Sequence, residues 1–157
     1  MPLRNRKTGE TLESVIEKVL RSDYKLISKS KQYTFEWLEE SKNEVYKIYL
    51  KDQNDEILGL MSIVDYPEEY RIHLNLIELS KKNIGQHKEI ENIAGCLIAF
   101  ACKVAFDRDY FGFVSLKPKT KLINLYQQKY GFRAYGRLLV VEQSSSIELI
   151  NKYLNDE

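Results

Sequence analysis

The stretch IAGCLIAFACKVAF, residues 93–106, decides the fold. Ile90, Ile93, Ala94, Leu97, Ile98, Ala101 and Ala105 recur at spacings of 3, 1, 3, 1, 3 and 4, a wide apolar stripe of helical period. Directly before it, GQHKEIEN (85–92) is almost wholly polar and is marked by Gly85. Two readings are open. The run is a solvated loop leading into a core helix, or its amides and those of the first helical turn hold an anion. The second is the expectation.

Downstream, YFGFVSLK (110–117) predicts a strand that Pro118 closes. Thr120 is placed to cap a helix KLINLYQQKY (121–130), which Gly131 ends where a left-handed residue is wanted. RLLVVEQ (137–143) predicts a further strand, and Ser145 with Glu148 forms an S-x-x-E box for a last helix, IELINKYL (147–154). Upstream, EVYKIYL (44–50), EILGLMSIV (56–64) and YRIHLNLIELS (70–80) predict three strands in hairpin fashion, joined by the short links KDQND and DYPEE that suit antiparallel neighbours. TFEWLEESK (34–42) predicts a short helix carrying Trp37, and YKLIS (24–28) a strand. Leu12, Val15, Ile16, Val19 and Leu20 fit a helix capped by Thr11. Residues 1–10 are expected as a loose N-terminal arm and 11–157 as a single domain. The fold class is α/β (α+β), a mixed central sheet flanked by helices.

In YRIHLNLIELS the apolar row Tyr70, Ile72, Leu74, Leu76 breaks, because Ile77 and Leu79 are apolar while Glu78 falls on the core row. One extra residue near Leu76–Ile77, a β-bulge, sends Ile77 and Leu79 inward and leaves Glu78 beside His73 and Asn75. It also splays this fourth predicted strand from its neighbour, opening a slot at the strand's C-terminal end.

Composition bounds the function. Hydrophobic residues make up 43% of the 157 and charged residues 30%, the balance of a soluble globular chain. A net charge of +1 gives no general reason to expect nucleic acid as a partner. No stretch approaches the ~18 apolar residues of a membrane span. Cys96 and Cys102 point in different directions on one helix, so they are expected reduced and cytoplasmic, and no metal site is expected.

LIEL (76–79), the helix IAGCLIAFA, FVSL (113–116) and LINLYQQKYGF (122–132) together resemble the GNAT superfamily of acetyl-CoA-dependent N-acetyltransferases, over roughly residues 57–142. LYQQKYGF is similar to the L-Y-E-K-x-G-F signature of that superfamily. The usual R/Q-x-x-G-x-G/A loop is degenerate: it falls on Glu89–Ala94, where only Ala94 fits, Glu89 replaces a basic or amide residue and Asn92 a glycine. The resemblance implies acetyl-CoA as co-substrate and an unidentified amine acceptor. It implies pantetheine pairing with the backbone of Leu79 and Ser80. Amides or charge for the diphosphate would come from Gly85, Lys88, Asn92, Ile93, Ala94 and Gly95, with Gln86 and His87 in the same long loop. Lys119 would reach a phosphate. Tyr126 aligns with the general acid facing the thioester sulfur, and Glu78 with an acidic residue that relays the amine proton. Each also has a plain reading: Tyr126 belongs to a packing stripe with Leu122 and Tyr130, while Glu78, His73 and Lys119 suit solvated positions. Tyr33, Phe35 and Trp37 would wall the acceptor site, Trp37 chiefly as core. Alternatives are an inactive GNAT-like module that binds acyl-CoA or a protein, and a factor that captures RNA or protein through the N-terminal arm. A homodimer is compatible with all three.

Overall fold

Alternation is clearest in the middle of the chain, and there three strands form in meander: β3 (Glu44–Leu50), β4 (Gly59–Tyr66) and β5 (Arg71–Leu79). Even and odd positions separate two layers. Tyr46 and Ile48 face one core, while Val45 and Lys47 face the other side of the sheet. The computed structural model describes residues 2–155, with Thr120 described by its backbone alone, so the expected Thr120 cap lies outside the described residues.

The helical period holds for α2 (Ile93–Asp107), a helix apolar but for Lys103 and Asp107 and laid on the sheet. It starts later than expected. Ile90–Glu91 is instead a short strand, β6, whose partner is β1 (Pro2–Asn5). Residues expected as a loose arm therefore supply a sheet strand, with Leu3 only 1% exposed. The expected helix over 11–20 is also a strand, β2 (Thr11–Lys18), paired antiparallel with β1 and β3. Ser14 and Ile16 are buried with period two, and the β-branched Val15 and Ile16 suit that pleated surface. YKLIS lies in a helix, α1 (Asp23–Ser30), and Trp37–Lys42 is a 3-10 turn.

The C-terminal half comprises β7 (Val114–Leu116), α3 (Ile123–Tyr130), β8 (Arg133–Tyr135), β9 (Leu138–Val141) and α4 (Gln143–Tyr153). Gly131 ends α3 at φ 74°, where any side chain would be strained. β8 was not expected from sequence. The Ser145–Glu148 box does not form, because α4 begins at Gln143 after an extended Glu142 with no side-chain cap.

The strand order is β6-β1-β2-β3-β4-β5-β7-β9-β8, a mixed sheet in which β5–β7 is the one parallel pairing among the described residues. On one face lies the main core with α2, α3 and α4. On the other, Ile27, Trp37, Val45 and Leu60 form a smaller core under α1. Among the described residues no helix is long and apolar enough to cross a membrane.

The bulge exists, one residue earlier than expected. Ser62 opposes Leu76 and Ile63 opposes Leu74, so Asn75 is the extra residue. Ile77 and Leu79 accordingly join Ile72 and Leu74 on the α2 side. Leu76, expected on that row, packs instead in the smaller core with Trp37 and Leu60, and Glu78 shares its face.

Candidate active site

β5 and β7 pair only through Ile72–Val114, His73–Ser115 and Leu74–Leu116. Beyond that point they part. β7 ends at Leu116, two residues before Pro118, which cannot donate to a ladder, and the bulge at Asn75 turns β5 away. The fork holds a cavity of 140 Å³ lined among others by Phe35, Asn75, Ile77, Lys117, Lys119 and Tyr126. A second hollow of 230 Å³ continues along the same two elements, β5 and α3, to the start of α2. Its walls include Leu79, Gly85, Lys88, Asn92, Ile93 and Ala94, with Lys129 and Tyr130 opposite. The two cavities share no lining residue, but both lie between β5 and α3, with Ile77 and Tyr126 on the first and Leu79 and Tyr130 on the second.

This arrangement brings together five of the residues expected around a diphosphate, Gly85, Lys88, Asn92, Ile93 and Ala94. Asn92 precedes α2 at φ 77°, a left-handed conformation that asparagine tolerates, and its side chain makes no cap. The first-turn amides of Ile93, Ala94 and Gly95 therefore receive nothing from a capping side chain, and they carry the helix's positive end. Gly95 has a further role. A Cβ there would lie 2.3 Å from the Tyr153 ring, so the missing side chain lets α4 pack against α2. Ser80 stands apart. It is 1% exposed, its amide bonds Leu58 O and its hydroxyl accepts from Asn83. Lys119 is also parted from the helix terminus, with its Nζ 5.5 Å from the Phe35 ring centroid at the fork.

The carboxylates beside the loop are handled by residues that sequence reading did not single out. Arg4 reaches Glu91 with its Nε at 3.1 Å and its terminal nitrogen closer still, which holds the Glu91 carboxyl below its ordinary range. Arg6 donates to Gln86 O. Both come from the segment expected as an arm, Arg4 from β1 and Arg6 from the turn that follows it. Antiparallel pairing of β1 with β6 sets Arg4 opposite Glu91, so the anionic loop gains a cation across the sheet edge. A basic RNRK run near an acidic EIE run was the available signal, but nothing in it fixes the pairing.

Tyr126 lies half-buried, edge-on to Phe132 at 5.6 Å and tilted to Tyr130 at 6.1 Å. Burial pushes its phenol above the ordinary value. Among the described residues nothing bonds its hydroxyl. Tyr126 thus keeps its proton across the neutral range and has it available.

Glu78 is differently placed. Its carboxylate accepts from Thr34 N at 2.7 Å, Thr34 Oγ1 at 2.8 Å, Phe35 N at 3.3 Å and Trp37 Nε1 at 2.8 Å. Four donors fill the roughly four acceptor positions of a carboxylate. The geometry is that of an anchor holding residues 34–37 against the fork. Glu78→Ala is expected to cost about 2 kcal/mol, as for a hydrogen bond to a charged group, and to lower the thermal midpoint by roughly 6 °C. Emission of Trp37, the sole tryptophan, should shift to the red. A proton relay with no anchoring role would leave both readings unchanged.

His73 is locked as well. Arg71 can only donate, and its guanidinium lies 3.2 Å from His73 Nδ1, so Nδ1 accepts and the proton of the neutral ring sits on Nε2. Ser115 Oγ stands 2.9 Å from Nδ1 and accepts from Arg71 at 2.7 Å. Burial, with Arg71 second, holds the imidazole below its usual pKa. Trp37, 2% exposed, packs in the core as expected. Burial raises both cysteine thiols to about 12, which leaves neither a thiolate nucleophile at neutral pH. Among the described residues no group of three His, Cys, Asp or Glu side chains is placed to hold a metal ion.

No protein-family model matches the chain, and no curated protein is detectably similar to it in sequence. Solved structures are similar in shape. The spermidine/spermine N-acetyltransferase SpeG from Vibrio cholerae, crystallised with manganese ions, superimposes at a TM-score of 0.60 with 12% identity, covering 92% of this chain and 98% of that one. Nourseothricin acetyltransferase gives 0.57 at 11% identity over 83% and 97%. AtaT, in complex with acetyl-methionyl-tRNAfMet, gives 0.54 at 12% over 88% and 99%. At these identities the likeness speaks for architecture, and it agrees with the forked sheet and the uncapped helix start: the chain has the fold of the GNAT acetyltransferases.

Proposed function

We propose that the chain is an N-acyltransferase that moves an acetyl group from acetyl-CoA to a primary amine by direct attack. One observation carries the reading: two hollows lie in line between β5 and α3, one at a fork in the sheet and the other at a helix start without a side-chain cap. The residues present fit the co-substrate. The amides of Ile93, Ala94 and Gly95, with Lys88, suit a diphosphate, and the β5 edge beyond Leu74 has no strand partner on the β7 side. That edge can pair with the amides of an extended arm, as an added strand would.

Acetyl-CoA supplies the acyl group as a thioester. At the fork the amine nitrogen forms the new C–N bond as the C–S bond breaks. The Tyr126 hydroxyl gives its proton to the leaving sulfur, and the amine proton leaves to solvent at the fork mouth, since Glu78 and His73 have their acceptors engaged.

Calorimetric titration with acetyl-CoA tests the reading. Saturable binding is expected, weakened about tenfold or more by Ala94→Trp, which fills the hollow at the helix start. A flat titration of the native chain would remove the proposal. A second reading, a module that binds acyl-CoA without catalysis, is favoured by the occupied acceptors of Glu78 and His73. Binding with no thiol release across a broad amine panel would select it.

A further inference from the structure

The fork mouth has a charge balance of its own. The full chain carries 24 basic and 23 acidic side chains, yet among the described residues no acid lines the fork cavity, and the two carboxylates beside it have acceptors taken up by neutral donors. Glu78 accepts four hydrogen bonds, as described. Glu40 Oε1 accepts from Asn75 Nδ2 at 2.8 Å and from Asn43 Nδ2 at 3.4 Å. Arg71 is tied to Glu69 at 3.0 Å and to Ser115. The two cations left are Lys117 and Lys119. Both are exposed, both line the fork cavity, and neither has an ion-pair partner among the described residues. They flank Pro118, whose ring stiffens the backbone between them, and Lys119 stands over Phe35 on the wall that Glu78 anchors.

These lysines do not serve the far end of the hollow. Neither lines the hollow at the start of α2, where the basic side chains are Lys88 and Lys129. A diphosphate there has those two beside it, while an acceptor entering at the fork meets Lys117 and Lys119 first.

We propose that the acceptor amine carries an anionic group, a carboxylate or a phosphate, which Lys117 and Lys119 receive at the fork mouth. The proposal rests on the acyltransferase reading above and narrows its substrate class. A polycationic acceptor would meet two like charges there, whereas an anion-bearing amine gains two favourable contacts with its nitrogen still directed into the fork.

The test compares acetylation of the C-terminally amidated dipeptides Ala-Glu and Ala-Lys, of O-phosphoethanolamine and of spermidine, for the native chain and for Lys117→Gln/Lys119→Gln, with acetyl-CoA binding followed in parallel by calorimetry. Native kcat/KM is expected to be about tenfold higher for Ala-Glu than for Ala-Lys. In the double variant that ratio should fall close to one through KM, with acetyl-CoA affinity unchanged. A high rate with O-phosphoethanolamine alone would assign the anion to phosphate, and one with Ala-Glu alone to carboxylate. Preference for Ala-Lys or spermidine, or a ratio untouched by the double substitution, would overturn the proposal and leave the acyltransferase reading standing. So would a variant whose loss lies in acetyl-CoA affinity. Absence of acetyl-CoA binding would overturn both.

Discussion

Lys47→Met is expected to destabilise the fold by about 3–5 kcal/mol and to lower the thermal midpoint by roughly 10 °C. Lys47 rises from β3 beneath α1 with its side chain 9% exposed, and its ammonium lies 2.9 Å from Asp23 Oδ2. Asp23 opens α1 and accepts in addition from Leu20 N at 2.7 Å. Glu17 stands 3.7 Å away as a weaker partner. Methionine preserves the stem but leaves the Asp23 carboxylate buried with its cation gone, and that is the costly half of a broken pair. Adding Asp23→Asn should restore part of the loss, because the orphaned charge goes with it. Chemical denaturation of the two single variants and the double variant measures this coupling. Additive losses would mean that the pair contributes no more than packing.

For turnover, Tyr126→Phe carries the largest expected effect: kcat lowered about a hundredfold, with acetyl-CoA affinity changed less than twofold. Phenylalanine keeps the ring contacts to Tyr130 and Phe132, so stability should hold within about 0.5 kcal/mol. The pH dependence supplies a signature that packing alone does not. A general acid works in its protonated form, so activity persists below its pKa and is lost above it. Burial raises the Tyr126 phenol, which moves the alkaline loss beyond the ordinary tyrosine value of about 10. The phenylalanine variant should be slow at all pH values and lack that alkaline limb. A kcat within about threefold of native would return Tyr126 to the packing stripe it shares with Tyr130.

The sequence was legible where an apolar run or stripe was bounded by polar links. β5 alternates up to its bulge and α2 holds its stripe over four turns, while β3 and β4, buried on both faces, stand out as apolar runs on either side of a turn-rich link. The segment over 11–20 was misread because Leu12, Val15, Ile16 and Val19 satisfy a helical period as well as a strand's. Burial of Ser14 on the strand face settles it, and a serine gives no hydrophobic signal. The bulge was legible from the broken alternation at Glu78. Its position shifted because Leu76 suits either face once the α1 side proves to hold an apolar core of its own. Electrostatics at the site was not legible at all. Arg4 and Glu91 lie 87 residues apart, and the four donors that fill Glu78 come from 41 to 44 residues upstream. Local pattern carries no information about such pairings.

The contact of β1 with β6 has a consequence for how the molecule assembles. The meander β3–β5 closes short chain loops, but the β1–β6 bridge must bring together segments separated by most of the sheet's sequence, and ring-closure entropy delays such contacts. The end of the hollow at the start of α2 is therefore expected to be shaped last, after the fork has the scaffold it stands on.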